Sequence, residues 1–155
     1  MKHLCVMCMA VLVCLAGCGS PAPADEGASS AWNLTVTSPA GTKQFTLEGL
    51  KALPQSEMDY MAKETSTTNK YKGPVLREVL KAAGVDLAAV QSVDVEAEDA
   101  FFATFSKELA LREDVVLVVE MDGGPLPKEM GTVRVLAPGE TTKFQVKFVK
   151  RMTVK

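Results

Sequence analysis

The segment Asn69-Lys-Tyr-Lys-Gly-Pro-Val-Leu-Arg-Glu-Val-Leu-Lys-Ala-Ala-Gly84 reads as an aromatic strand end feeding a helix. Gly73 suits the N-cap and Pro74 the first helical position, where a missing N–H costs nothing and φ is already helical. Gly84 closes the helix, because glycine takes the left-handed C′ conformation without a Cβ penalty. Between them Val75, Leu76, Val79, Leu80, Ala82 and Ala83 recur on one side at helical spacing, with Arg77, Glu78 and Lys81 on the other. The spacing predicts a helix over 74–83 with one face on a core and one in water.

Outward from this helix the pattern changes from helical to strand period. Trp32, Leu34 and Val36 alternate with polar residues, and a Ser38-Pro-Ala-Gly41 turn leads into Lys43–Thr46, which predicts a hairpin. Thr46 caps a short helix over 47–53 that Pro54 stops. Met58, Tyr60 and Ala62 sit at strand spacing before a polar loop, Lys63 to Thr68. On the other side Val93, Val95 and Ala97 alternate with Asp94, Glu96 and Glu98, and Asp99-Ala100 turns the chain back into Phe101–Phe105. Ser106 caps a short helix through Leu111, and the run Val115–Met121, apolar but for Glu120, predicts a central strand. Two further strands are expected over Thr132–Leu136 and Lys143–Val154, the last with Lys143 and Lys147 on one face. Strands and short helices without regular βαβ alternation define an α+β class.

The chain has 155 residues, 47% of them hydrophobic and 23% charged, enough for one core. Its first part stands apart from that core. Lys2 and His3 precede an apolar run, Leu4–Ala16, that is far short of the ~20 residues needed to span a bilayer, which is the pattern of an export signal. It ends in Leu15-Ala-Gly-Cys18, which resembles the lipobox of bacterial lipoproteins, where the cysteine is acylated before cleavage. The expected organisation is a signal peptide over 1–17, a tether over 18–31 starting at lipidated Cys18, and one domain over 32–155. Gly19 to Ala31 holds no large apolar side chain and cannot offset the entropy of ordering. Extended at ~3.1 Å per residue, it would reach about 40 Å. The expected place is thus the outer side of a bacterial membrane, with the lipid as the membrane contact.

Cleavage would remove Cys5, Cys8, Cys14 and His3 and leave Cys18 occupied by lipid, so the mature domain has neither histidine nor a free thiol. That inventory excludes a disulfide, a Ser/His triad, a cysteine nucleophile and histidine-ligated zinc or copper. No catalytic residue and no metal ligand is assigned. Neither a phosphate loop nor a Gly-x-Gly-x-x-Gly turn occurs. With 16 basic against 19 acidic side chains after cleavage, the chain shows no basic face for nucleic acid. Glu96, Glu98 and Asp99 read either as a hard-cation site or as a solvated face. Tyr60 and Tyr71 read as pocket donors or as packing residues. Arg134, Lys143, Lys147 and Arg151 read as an anion patch or as charges that guard a strand edge.

Four stretches in order carry a family resemblance: Tyr71-Lys-Gly-Pro-Val-Leu-Arg-Glu-Val-Leu, Asp99-Ala-Phe, Met121-Asp-Gly-Gly-Pro-Leu-Pro-Lys-Glu-Met-Gly-Thr-Val-Arg-Val-Leu-Ala-Pro-Gly, and Val146-Lys-Phe-Val. Together they resemble the molybdopterin-binding domain of sulfite-oxidase-type oxidoreductases, over Trp32 to Lys155. The resemblance implies a mixed sheet around a pterin, molybdopterin as cofactor, and one cysteine on molybdenum near Met61 to Thr65. No cysteine stands there; Asp99-Ala-Phe replaces the usual Asp-Gly-Tyr, and Met130-Gly-Thr stands where His-Gly-Gly-Pro is common. The pterin-facing positions it implies are Tyr71, Arg134, Lys143 and Lys147. The expected function is a membrane-tethered binding or accessory module on a sulfite-oxidase-like fold, meeting a redox or envelope protein partner. Two alternatives stand beside it: an oxidoreductase holding its pterin without a cysteine ligand, and a structural envelope lipoprotein without a ligand.

Overall fold

The computed structural model describes residues 32–62 and 66–155. The expectations for the export signal, Cys18, the tether and Lys63–Thr65 lie outside the described residues. In chain order the elements are β1 (Asn33–Ser38), β2 (Gly41–Thr46), α1 (Leu47–Lys51), β3 (Gln55–Ala62), β4 (Thr67–Pro74), α2 (Leu76–Ala82), β5 (Ser92–Ala97) and β6 (Phe102–Ser106). They continue with α3 (Lys107–Ala110), β7 (Val116–Val118), β8 (Glu120–Met121), β9 (Gly124–Pro125), β10 (Arg134–Leu136) and β11 (Val149–Val154), with 3-10 turns at Lys128–Met130 and Thr142–Phe144. The class is α+β. One five-stranded sheet has the order β2-β1-β11-β5-β6, one four-stranded sheet β3-β4-β8-β9, and β7 pairs with β10. In the large sheet β1 and β11 run parallel and the other neighbours antiparallel.

Local chemistry sets the small elements as expected. Thr46 Oγ1 accepts from Gly49 N at 3.0 Å and Ser106 Oγ from Leu109 N at 3.3 Å, so each hydroxyl satisfies an orphan donor of its helix. Leu76, Val79 and Leu80 of α2 are fully buried, and Gly84 ends the helix at φ +80° while Val85 N bonds back to Leu80 O at 3.0 Å.

The start of α2 differs from the expected one. Gly73 and Pro74 belong to β4, and Val75 is the N-cap. Val75 bridges to Val116 and Leu76 N bonds to Val115 O at 2.8 Å, so pairing with the strand beyond holds this stretch extended for two more residues. The expected loop also shortens: Thr67–Asn69 extend β4 against β3. The Asp122 carboxylate supports that extension by accepting from Asn69 Nδ2 and Lys70 N, both at 2.8 Å.

The expected long strand over 143–154 is broken. Thr142–Phe144 is a 3-10 turn, Phe148 takes φ +53°, and pairing begins only at Val149. The cause is the buried Gln145 amide, which accepts from Ala137 N at 3.1 Å and donates to Ala137 O at 2.7 Å. A side chain thus takes a backbone partner, and the chain is pulled out of register.

The run Val115–Val119 has both faces buried, and each face feeds a different core. Val115, Leu117 and Val119 join the main cluster with Leu34, Leu80, Val95 and Phe105, whereas Val116 and Val118 join a smaller one with Tyr71, Leu126, Met130 and Leu136. On β10 the same parity applies: Val133, Val135 and Ala137 point into the main core, so Arg134 is sent towards the smaller cluster.

The outer face of the large sheet is wet and carries paired charges. Asp94 Oδ2 lies 2.6 Å from Lys155 Nζ and its Oδ1 accepts from Thr104 Oγ1 at 2.6 Å, which holds its carboxyl below the ordinary aspartate range. In the loop after α3, outside this sheet, Arg112 does the same for Asp114 through a contact at 2.6 Å. Both groups bind protons more weakly folded than unfolded. Their contribution is therefore present above the unfolded aspartate value of about 3.9 and is lost as pH falls through the folded values below it. Thermal midpoints taken from neutral to acid pH should fall below about pH 4, and an Asp94→Asn, Asp114→Asn double variant should show a shallower fall.

Candidate functional site

The smaller core holds the largest buried cation. Arg134 is 1% exposed, its Nη1 lies 3.3 Å from Met130 Sδ, and its guanidinium carbon stands 5.9 Å from the centre of the buried Tyr71 ring. Tyr60 packs edge-on against Tyr71 at 6.3 Å. Tyr71 is delivered by β4, opposite Met58 of β3 and Met121 of β8, so one row across the sheet places an aromatic ring between two thioethers. Arg134 and Tyr71 each make further interactions. Guanidinium is weakly hydrated and stacks on ring faces, which suits it to such a place better than lysine.

Of the four residues expected at a pterin, Tyr71 and Arg134 meet in the smaller core, while the two lysines lie on segments open to solvent. Lys143 is exposed and stands 5.8 Å over the Phe144 ring. Lys147 is half-buried and lines a hollow with Asp99, Phe101, Gln145 and Phe148. They do not share a strand face, because the strand expected there is a turn followed by an irregular segment. Arg151 reaches Glu96, at 3.0 and 3.2 Å to its two oxygens.

An open cleft of about 340 Å³ adjoins the smaller core through Leu126 and carries Lys51, Lys128, Glu98, Thr132 and Phe148 on its walls. Lys51 also pairs with Glu120 at 3.4 Å. Gly131 shapes this wall at φ +80°, and a Cβ there would stand 2.7 Å from Phe148 Cα. Phe148 itself is pinned, since its N–H donates to Met130 O at 3.1 Å and its C=O accepts from Glu98 N at 2.9 Å. Sequence reasoning missed this cleft. Its signal was available in Lys128 and Gly131, within the Met121–Gly139 stretch, but the partners Lys51 and Glu98 are far away along the chain.

The domain is thus a mixed-sheet α+β scaffold with an arginine enclosed beside a tyrosine and a cleft built on a glycine-bearing loop. The sequence profile described as oxidoreductase molybdopterin binding domain matches residues 20–155, and the chain belongs to that family. Among solved structures, the sulfane dehydrogenase SoxCD from Paracoccus pantotrophus is similar in fold, with a TM-score of 0.67 at 21% identity. The match covers 79% of this chain and 38% of that one, so the chain spans well under half of its relative. No curated protein matches the chain.

The donor set does not fit a thiolate-ligated molybdenum. Residues 32–155 contain no cysteine and no histidine. Among the described residues no group of three His, Cys, Asp or Glu side chains is placed to hold a metal ion. Serine and threonine hydroxyls are hard donors that stay protonated at neutral pH, and thioethers are neutral, so neither replaces a thiolate.

Proposed function

We propose that this protein is a bacterial envelope lipoprotein, held to a membrane by acylated Cys18, whose molybdopterin-family domain works as a non-catalytic binding or accessory module. The observation that carries this reading is a family scaffold without a soft donor: Arg134 and Tyr71 are closed into the core, and residues 32–155 contain no cysteine to offer a thiolate. The open cleft supports a small anionic ligand at Lys51 and Lys128, with Lys147 beyond the shared wall of Phe148. Contacts of this exposed kind weaken with salt. Leu126 joins the cleft wall to the cluster that holds Tyr71. Lys143 is exposed and does not line this cleft.

Native mass spectrometry with metal analysis on protein purified from its own host tests the reading. The expected mass is the chain from Cys18 with its acyl groups, without molybdenum. Stoichiometric molybdenum retained through gel filtration would replace this reading with an oxidoreductase that holds its pterin without a cysteine. Cys18→Ser should move the protein from the membrane to the soluble fraction; equal partitioning of variant and wild type would remove the anchor.

A further inference from the structure

The edge strand β6 is built differently from the other strand edges among the described residues. β2 carries Lys43, β3 carries Glu57 and Asp59, and β9 is two residues long with Pro125, all devices that discourage strand addition. The sequence of β6, Phe102-Ala-Thr-Phe-Ser, has no charge and no proline. Phe102 is 62% exposed and its neighbour Phe101 46% exposed. The turn that presents them holds Ala100 at φ +64°, a conformation that is costly for a residue with a Cβ.

The hydrogen-bond phase of the β5–β6 ladder decides what this edge offers. Ala97 N bonds to Phe101 O at 2.8 Å and Lys107 N to Gln91 O at 3.1 Å, at the two ends of one antiparallel register. Because bonded and non-bonded pairs alternate, Ala103 and Phe105 face β5, and the N–H and C=O groups of Phe102 and Thr104 point away from the sheet. No backbone bond from a described residue reaches them. Alongside lies a hollow of about 430 Å³ between Thr104, Ser106, Arg112, Glu140 and Phe144, which leaves room beside the edge.

We infer that β6 pairs antiparallel with β6 of a second copy of this chain, about a two-fold axis at Thr104. In that register Thr104 meets its own copy, Phe102 meets Ser106, and Ala103 meets Phe105. The outward-pointing groups of Phe102 and Thr104 are then the ones that find partners. Large residues oppose small ones on both faces, and no like charges meet. Beyond the strand, Lys107 of one copy, whose ammonium donates to Ala88 O at 2.6 Å in its own chain, comes beside the Asp99–Phe101 turn of the other, where its remaining donors face a carboxylate and an aromatic ring. Such an edge pairing is isologous and closes at two copies, which leaves β2, guarded by Lys43, as the outer edge of a joined sheet.

Sedimentation velocity and hydrogen exchange on the full chain in detergent solution test this. The expected result is a concentration-dependent dimer in which the Phe102 and Thr104 amides exchange more slowly as the dimer forms. Phe102→Lys should weaken the dimer by about tenfold or more. Thr104→Pro removes an outward N–H while sparing the backbone bonds to β5, though it also gives up the hydroxyl bond to Asp94, and should do the same; should it fail to fold, Phe102→Lys decides alone, since that side chain lies outside the core. A monomer throughout the micromolar range would overturn the proposal. So would a dimer indifferent to Phe102→Lys, or one in which both amides exchange as fast as in the monomer.

Discussion

Gly73→Ala should be among the most damaging single substitutions in this domain, lowering stability by about 3 kcal/mol or more. A Cβ built on Gly73 would stand 2.1 Å from Leu117 O and 2.8 Å from Leu117 C and Val118 Cα. Those atoms are backbone, and Leu117 is paired with Val135 in the β7–β10 ladder, so they cannot swing away as a flexible side chain would. The strands must move apart, and Val119 N then loses its bond to Lys72 O, now 2.9 Å. A fall in thermal midpoint on the order of 10 °C should follow for a domain of this size. A variant melting within a degree of wild type would mean that β4 does not cross β7 so closely in solution.

Leu80→Ala should cost about 2–5 kcal/mol, because a fully buried leucine loses both its transfer free energy and the contacts around the cavity it leaves. Leu80 lies on the buried face of α2 with Leu76 and Val79, and its backbone carbonyl also accepts the bond that closes the helix. Denaturant unfolding should show a lower midpoint with an unchanged slope, the sign of altered stability without altered compactness. Arg77→Ala, on the solvated face where the guanidinium meets Glu78 and Glu113, should change stability by less than about 1 kcal/mol.

The candidate site was only partly legible in the sequence. Tyr71 and Arg134 sit in stretches that resemble the family, and the fold brings them together. Lys143 and Lys147 are grouped with them by the family resemblance and by strand alternation, and the second is a local rule. That rule failed because Gln145 satisfies Ala137 across eight positions and breaks the strand. The cleft was hidden for a related reason: Lys51, Glu98, Lys128 and Phe148 come from separate elements whose approach depends on sheet order. Similarly, the start of α2 at Leu76 depends on Val75 bridging to Val116, a pairing that no helix-capping rule anticipates.

From the sequence alone came everything decided by short-range periodicity, capping and inventory: the buried face of α2, the β1–β2 and β5–β6 hairpins, the caps at Thr46 and Ser106, the α+β class, and the lack of any thiolate or imidazole between Trp32 and Lys155. Tertiary structure alone decided how two strands with both faces buried divide their residues between two cores. In Val115–Val119 and Val133–Ala137 each residue is apolar or flanked by apolar neighbours, so the sequence shows the alternation without showing what lies on either side. Only the pairing of β7 with β10, and the crossing of β4 over them, puts Tyr71, Met130 and Arg134 on one side and the main core on the other. Arginine is enclosed there because its odd-numbered neighbours, Val133 and Val135, bury more apolar surface in the larger core, and the two-residue period of a strand leaves Arg134 no other direction.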